Sequence, residues 1–233
     1  QERKAYTGQR FHMEPSLTIP LARAAGYKLD SQFKLMYTHY QQEVPEDLDP
    51  TYLEYGLGNL DSSTTRVLPS VRVNGGLVFD RMGSWNKNLY TQTLEPEFQY
   101  LYVPYKNQDH IGLFDTTTMR QDYYSLFSDR RFAGLDRISD ANRVSVGATS
   151  RIFDHDSVER LRVTLGQAYN LTNPKVTLTP VDSQSTNSRS LLTLDADAHP
   201  SDYWFLRGGV QYDTEQSEVS SGNSAVEYRK QGF

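Results

Sequence analysis

The sequence predicts an all-β chain: an antiparallel up-and-down meander of about nine strands with the pattern of a transmembrane β-barrel. Three observations predict it. Apolar side chains recur at every second position, no stretch carries a sustained stripe of 3.6-residue period, and the connections alternate between short and long.

From Arg10 to Leu21, Phe11, Met13, Pro15, Leu17, Ile19 and Leu21 alternate with Arg10, His12, Glu14, Ser16 and Thr18, which is strand periodicity. Small residues from Ala22 to Gly26 turn the chain. Tyr27, Leu29, Phe33, Leu35 and Tyr37 then resume the pattern, so the pair reads as a hairpin. Further apolar phases run Val67 to Val73, Leu94 to Tyr102, Val144 to Ile152, Leu161 to Tyr169, Leu192 to Ala196 and Trp204 to Tyr212. An incomplete last one holds Val226 and Tyr228. Asn74-Gly75-Gly76 alone would make a tight hairpin, but a turn there leaves the partner strand too short. It therefore reads as a bulge or close approach inside a strand ending near Phe79. Pro15, Pro69 and Pro96 each delete a ladder donor and predict bulges or fraying.

The connections are short at 22–26, 80–89, 154–158 and 199–202, and long at 41–63, 105–142, 171–188 and 213–224. Sorting by length puts the short turns at one end of the sheet, as in outer-membrane barrels. The apolar phases carry no Lys, Arg, Asp or Glu, whereas Arg10, Lys34, Arg72, Glu97, Arg162 and Arg207 fall on the opposite phases. In the barrel reading Phe11, Leu17, Phe33, Leu35, Val71, Phe98, Val146, Val163 and Leu206 face lipid, and those six charged residues face the lumen. An Arg at Leu35 would then be costly, while Lys34→Glu would cost little. A soluble sandwich also has one apolar phase, so the pattern leaves it open; strands of the roughly 9–11 residues a tilted membrane strand needs favour the barrel.

Composition excludes other classes. The 233 residues contain no cysteine, which removes a disulfide framework, a zinc ribbon and a thiolate nucleophile. A net charge of -5 argues against nucleic acid as a partner, because neutralising phosphates takes a basic surface. The longest apolar run, Tyr100 to Tyr105, is far short of a spanning helix. Gln1 to Arg10 is polar, without the apolar stretch of a secretion signal, so the chain reads as a mature or internal segment.

No motif points to catalysis, a cofactor or a metal. Asp195, Asp197 and His199 share a strand face but lack a completing His or Cys cluster. The loop from Gln41 to Ser63 is acidic and without Lys or Arg, yet lacks the spacing of a calcium loop and reads as a solvated segment. The most informative segment is the long loop from Tyr105 to Asn142. Its charges nearly cancel and can pair internally, and Phe114, Tyr123, Tyr124, Phe127 and Phe132 require burial, so it is expected to be ordered, with a helical turn near Tyr123 to Phe127. Arg130 and Arg131 form a pair suited to a carboxylate or a lipid phosphate.

QTLEPEFQYLYVPY (Gln92 to Tyr105), DYYSLFSDRRFAGLDRISDANRV (Asp122 to Val144), TSRIFD (Thr149 to Asp154) and LRGGVQYD (Leu206 to Asp213) resemble the LptD family of lipopolysaccharide (LPS) assembly proteins. The resemblance spans roughly Thr64 to Arg229. It implies a large barrel of the Gram-negative outer membrane that receives LPS from a periplasmic bridge, carries the lipoprotein LptE as a plug, and releases LPS into the outer leaflet. It also implies dependence on the barrel-assembly machinery for folding. Residues 1–233 would be one part of that barrel domain, without the periplasmic domain, the closing strands or the family's cysteines, and Phe233 would be a fragment boundary. The loop matching Tyr105 to Asn142 would fold toward the lumen, with Tyr123, Phe127, Arg130, Arg131, Asp136 and Arg137 nearest the plug. A porin-like channel and a soluble β-rich binding module are the alternatives.

Overall fold

The computed structural model describes residues 5–46, 48–85, 88–182 and 188–230; Phe233 and part of the 171–188 connection lie outside them. The chain runs through β1 (Thr7–Met13), β2 (Ser16–Ala24), β3 (Tyr27–Glu43), the short helix α1 (Pro50–Glu54), β4 (Ser63–Leu77), β5 (Phe79–Trp85) and β6 (Asn88–Val103). The long loop follows, holding the two-residue strands β7 (Thr117–Thr118) and β8 (Phe132–Ala133) and the helical turn α2 (Tyr123–Leu126). Then come β9 (Ala141–Phe153), β10 (Glu159–Asn170), β11 (Leu192–Ser201), β12 (Trp204–Asp213) and β13 (Glu218–Tyr228). All strands but the β7–β8 pair belong to one 11-stranded antiparallel sheet in chain order.

Two rows are each built from two strands, so the sheet has the nine rows the periodicity predicts. β1 and β2 both pair with β3 and part at Glu14 and Pro15, where the Leu35 N–H donates to the Pro15 carbonyl at 3.0 Å. β4 and β5 pair with β6 in one unbroken register, Gly76 opposite Glu97 and Phe79 opposite Leu94. Asn74-Gly75-Gly76 therefore sits in a continuous strand without a bulge. It is a close approach: a Cβ on Gly75 would lie 2.2 Å from the Phe98 ring. The strand also runs on to Trp85 rather than ending near Phe79.

The other prolines fall where a donor is dispensable. The Leu35 N–H faces β2, so Pro69 opposite it directs its backbone nitrogen away from β3, toward a stretch that β6 does not reach. Pro96 keeps register with Ala148 and lies beside the passage from β4 to β5. Of these three, Pro15 alone breaks its strand; the register also shifts after Pro20 in β2 and around Pro200 in β11.

One connection departs from expectation. The long loop at 213–224 is instead a tight turn, and β13 is a full strand rather than a fragment at Val226 and Tyr228. Periodicity hides it because the positions sharing a face with Val226 and Tyr228 are Gly222 and Ser224, so backbone ladder bonds define the strand more than apolar side chains do.

The faces of the sheet differ. Phe11, Leu17, Phe33, Leu35, Phe98, Val146 and Leu206 are exposed on one, Phe11 and Leu17 to about 60% (59% and 61%), and among the described residues no second sheet packs there. That arrangement is unlike a sandwich, which buries its apolar faces against each other. The core lies instead on the other face, where Met36, Leu68, Leu101 and Val103 pack with Ile138 of the long loop. Among the described residues no helix is long and apolar enough to cross a membrane.

Candidate functional site: a loop docked on the charged face

The long loop folds back onto the charged face at three points. At the first, Asp136 is fully buried and its carboxylate accepts from the Phe114 and Asp115 backbone N–H groups at 2.7 and 2.8 Å and from Arg10 at 2.8 Å. Arg10, on β1, also grips Asp115 with both terminal nitrogens, at 3.0 and 2.6 Å. Arg66, on β4, donates to Gln108, to the carbonyls of Leu135 and Asp136, and to Thr38 of β3. Tyr40 adds a hydroxyl bond to Leu135 at 2.9 Å, and its ring stacks on Phe114. Arg137, also buried, donates to the Ile111 and Leu178 carbonyls, linking this loop to the next long connection. Buried charges are tolerable only when bonded in this way.

The second point is Lys34, whose ammonium lies 2.5 Å from both Asp129 and Glu14; Arg130 bonds the same Glu14. The third is α2. Asp122 caps it, accepting from the Ser125 N–H at 2.7 Å while the Ser125 hydroxyl accepts from the Asp122 N–H. α2 presses Tyr123 onto Gly147 and Gly166, which face each other across β9 and β10. A Cβ would come within 2.7 Å of the Tyr123 hydroxyl at Gly147 and 3.0 Å of its ring at Gly166. The hydroxyl donates to Glu97 at 2.7 Å. Burial, and then the Glu97 carboxylate, push the Tyr123 phenol well above its ordinary pKa.

Arg10, Lys34 and Glu97 thus all hold the loop. Arg72 bonds Gln32 beside them, while Arg162 and Arg207 converge on Asp197, at 2.6 and 3.5 Å, away from it. Asp197 is thereby engaged by cations, and His199 lies edge-on to Phe205. Of the loop residues, Tyr123 and Asp136 are buried against the sheet, Arg137 is buried between the loop and the next connection, and Phe127, Arg130 and Arg131 are half-buried. Two expectations are corrected. The balanced loop charges pair chiefly with the sheet, because Arg10, Lys34, Arg66 and Glu14 lie directly beneath them. Arg130 and Arg131 do not act as a pair, because Glu14 and the Gly134 carbonyl hold Arg130. Sequence reading placed no site at Arg66, Asp115, Asp129, Gly147 or Gly166. The two glycines become a dent only once the strand register is known.

The docking has a defined acid limit. Burial raises the Asp129 carboxyl, but its bond to Lys34 outweighs burial and lowers it, so the limit rests on Asp129; the more exposed Asp115, held well below the usual range by Arg10, adds little. Acids with depressed pKa contribute fully above the ordinary value of about 3.9 and lose that contribution as pH falls through the depressed one. Amide exchange in residues 108–140, corrected for its intrinsic pH dependence, should stay flat from about pH 7 to 5 and accelerate only below about pH 4. Acceleration between pH 7 and 5 would show that other groups control docking.

An antiparallel meander with one bare apolar face and a long loop bonded to its charged face defines a class: a two-faced β-sheet with a loop folded onto its charged side. The chain belongs to the LptD family, whose model, described as LPS transport system D, matches residues 1–233. It is 55% identical over 234 residues to the LPS-assembly protein LptD of Aeromonas hydrophila, 53% to that of Aeromonas salmonicida and 44% over 228 residues to that of Yersinia enterocolitica. These alignments cover 95–97% of the chain but only 29% of each relative. The chain thus spans less than a third of the length of those proteins.

Proposed function

We propose that this chain is a wall segment of an outer-membrane β-barrel that passes LPS into the outer leaflet, with the bare apolar face toward lipid and the docked loop in the lumen. The observation that carries the reading is that apolar face. It belongs to a sheet whose core and loop-docking ion pairs lie on the opposite side, which suits hydrocarbon and not water. Family membership supports LPS as the cargo, delivered from the periplasmic bridge. The chain acts without covalent chemistry: it offers a passage and a surface on which the LptE plug can seat. In this reading residues 1–233 belong to a single barrel domain, which the barrel-assembly machinery inserts, and Arg72, Arg162 and Arg207 line the lumen. Phe127 and Arg131 meet the plug, while Tyr123, Arg130, Asp136 and Arg137 hold the loop in position for it.

Photo-crosslinking residues at Phe127 and Arg131 of the full-length protein test this. Capture of the plug lipoprotein is expected from at least one. Gly147→Val, which fills the dent under Tyr123 at an overpacking cost of about 1–3 kcal/mol, should reduce that capture. Capture of nothing, with ready cleavage of the loop by external protease, would mean that the loop is an outward surface element. A porin-like channel would conduct ions in planar bilayers whether or not the plug is present.

A further inference from the structure

The long loop is not the only connection anchored at its end of the sheet. The acidic segment after β3, whose sequence suggests free solvation, turns at the end of α1 through Gly56, with φ +72°. The Leu57 N–H donates there to the Tyr52 carbonyl at 2.8 Å, and the Leu57 side chain is buried. This segment meets the long loop at two places. The Asp61 N–H donates to the His110 carbonyl at 3.1 Å, and Tyr6 packs edge-on against both Tyr52 and Phe114, with ring centroids 4.9 and 5.2 Å apart. Gln42 of β3 ties the two together: its amide donates to the Asp61 and His110 carbonyls and accepts from the Gly112 N–H.

The connection after β10 meets the long loop through two buried charges. Asp140 accepts from the Lys175 and Val176 backbone N–H groups at 2.9 to 3.0 Å. Arg137 donates to the Leu178 carbonyl at 3.0 Å and, within the long loop, to the Ile111 carbonyl at 2.8 Å. The same connection reaches the acidic segment, because a Cβ on Gly56 would lie 3.0 Å from Pro180 and 3.4 Å from Val181. Each of the three connections thus touches the other two, and the contacts close a ring. Loosening any one takes partners from groups buried in the next: if residues 175–178 lift, the Asp140 carboxylate loses three hydrogen bonds and the Arg137 guanidinium loses one. Stripping buried charges of their partners is costly, so partial opening is penalised relative to opening of the whole.

We propose that the three connections form one cooperative cap, with Arg137 and Asp140 as its latch, so that the long loop leaves the charged face of the sheet only together with the other two. The segments around Gly56 and Lys175 thereby govern a loop they do not belong to. This inference goes beyond the reading of the chain as a barrel wall and does not depend on what passes along that wall.

Hydrogen exchange in the full-length protein in detergent tests it, with two variants at opposite sides of the ring. Asp140→Ala removes the latch acceptor, and Gly56→Ala is strained at its positive φ and presses on Pro180. Exchange is expected to accelerate about tenfold or more, by comparable factors, in residues 52–58, 108–114 and 175–182 of both variants. Gly56 lies outside the long loop, so Gly56→Ala keeps the test open if Asp140→Ala fails to fold. Acceleration confined to the substituted connection and its nearest neighbour, with the third keeping wild-type protection, would overturn the proposal, as would unchanged exchange throughout.

Discussion

Replacing Asp136 with Ala in the full-length protein is expected to release the long loop, at a cost of about 3–5 kcal/mol to its docking. The carboxylate is fully buried and binds two backbone N–H groups and Arg10, so its removal strands buried donors and leaves the cation Arg10 with only the part-exposed Asp115. The size of the effect comes from those orphaned groups rather than from the ion pair itself. Asp115→Ala is the comparison: that side chain is 43% exposed, water can replace its contacts, and the loss should be under about 1 kcal/mol. Limited proteolysis of the purified protein measures both. Rapid cleavage within residues 105–140 should follow Asp136→Ala and not Asp115→Ala. Equal resistance in both variants would show that α2 and Lys34 hold the loop without this centre.

Placing a charge on the apolar face is the second large effect. Leu35→Arg puts a guanidinium among Phe33, Leu17 and Phe11 on a face without an acid partner, and near a membrane midplane this costs about 2–4 kcal/mol. Lys34→Glu, the obvious control by sequence, does not serve. Lys34 bridges Asp129 and Glu14, and a third carboxylate there would repel both. Arg207→Gln is the suitable control, since its side chain is 62% exposed and its contact with Asp197 is long at 3.5 Å. Folding yield into lipid vesicles should fall steeply for Leu35→Arg and change little for Arg207→Gln. Similar yields for both would mean that the apolar face does not meet hydrocarbon.

Strand identity and facing were legible in the sequence because alternation is a local property: Leu35 and Lys34 belong to opposite faces in any sheet that contains them. The order of the rows was legible as well, since each long strand returns beside its predecessor. Local pattern failed at β13, where Gly222 and Ser224 occupy the apolar phase; at Asn74-Gly75-Gly76 the strong turn signal was rightly read through, because pairing with β3 and β6 on both sides overrides it. That the long loop would be ordered followed from its aromatics, and a helical turn near Tyr123 to Phe127 was legible too, whereas the Asp122 cap that starts it is a finding of the structure. Where it docks did not follow. Arg10 meets Asp136 across 126 positions and Lys34 meets Asp129 across 95, and no local signal selects those partners from the loop's other acids. The sequence by itself determined a two-faced antiparallel meander, because side-chain period and turn chemistry act within a few residues. Only the tertiary structure decided that the core lies under the loop and that a glycine pair receives Tyr123. Each of these depends on register between strands, which places residues distant in the chain within a few ångströms of one another.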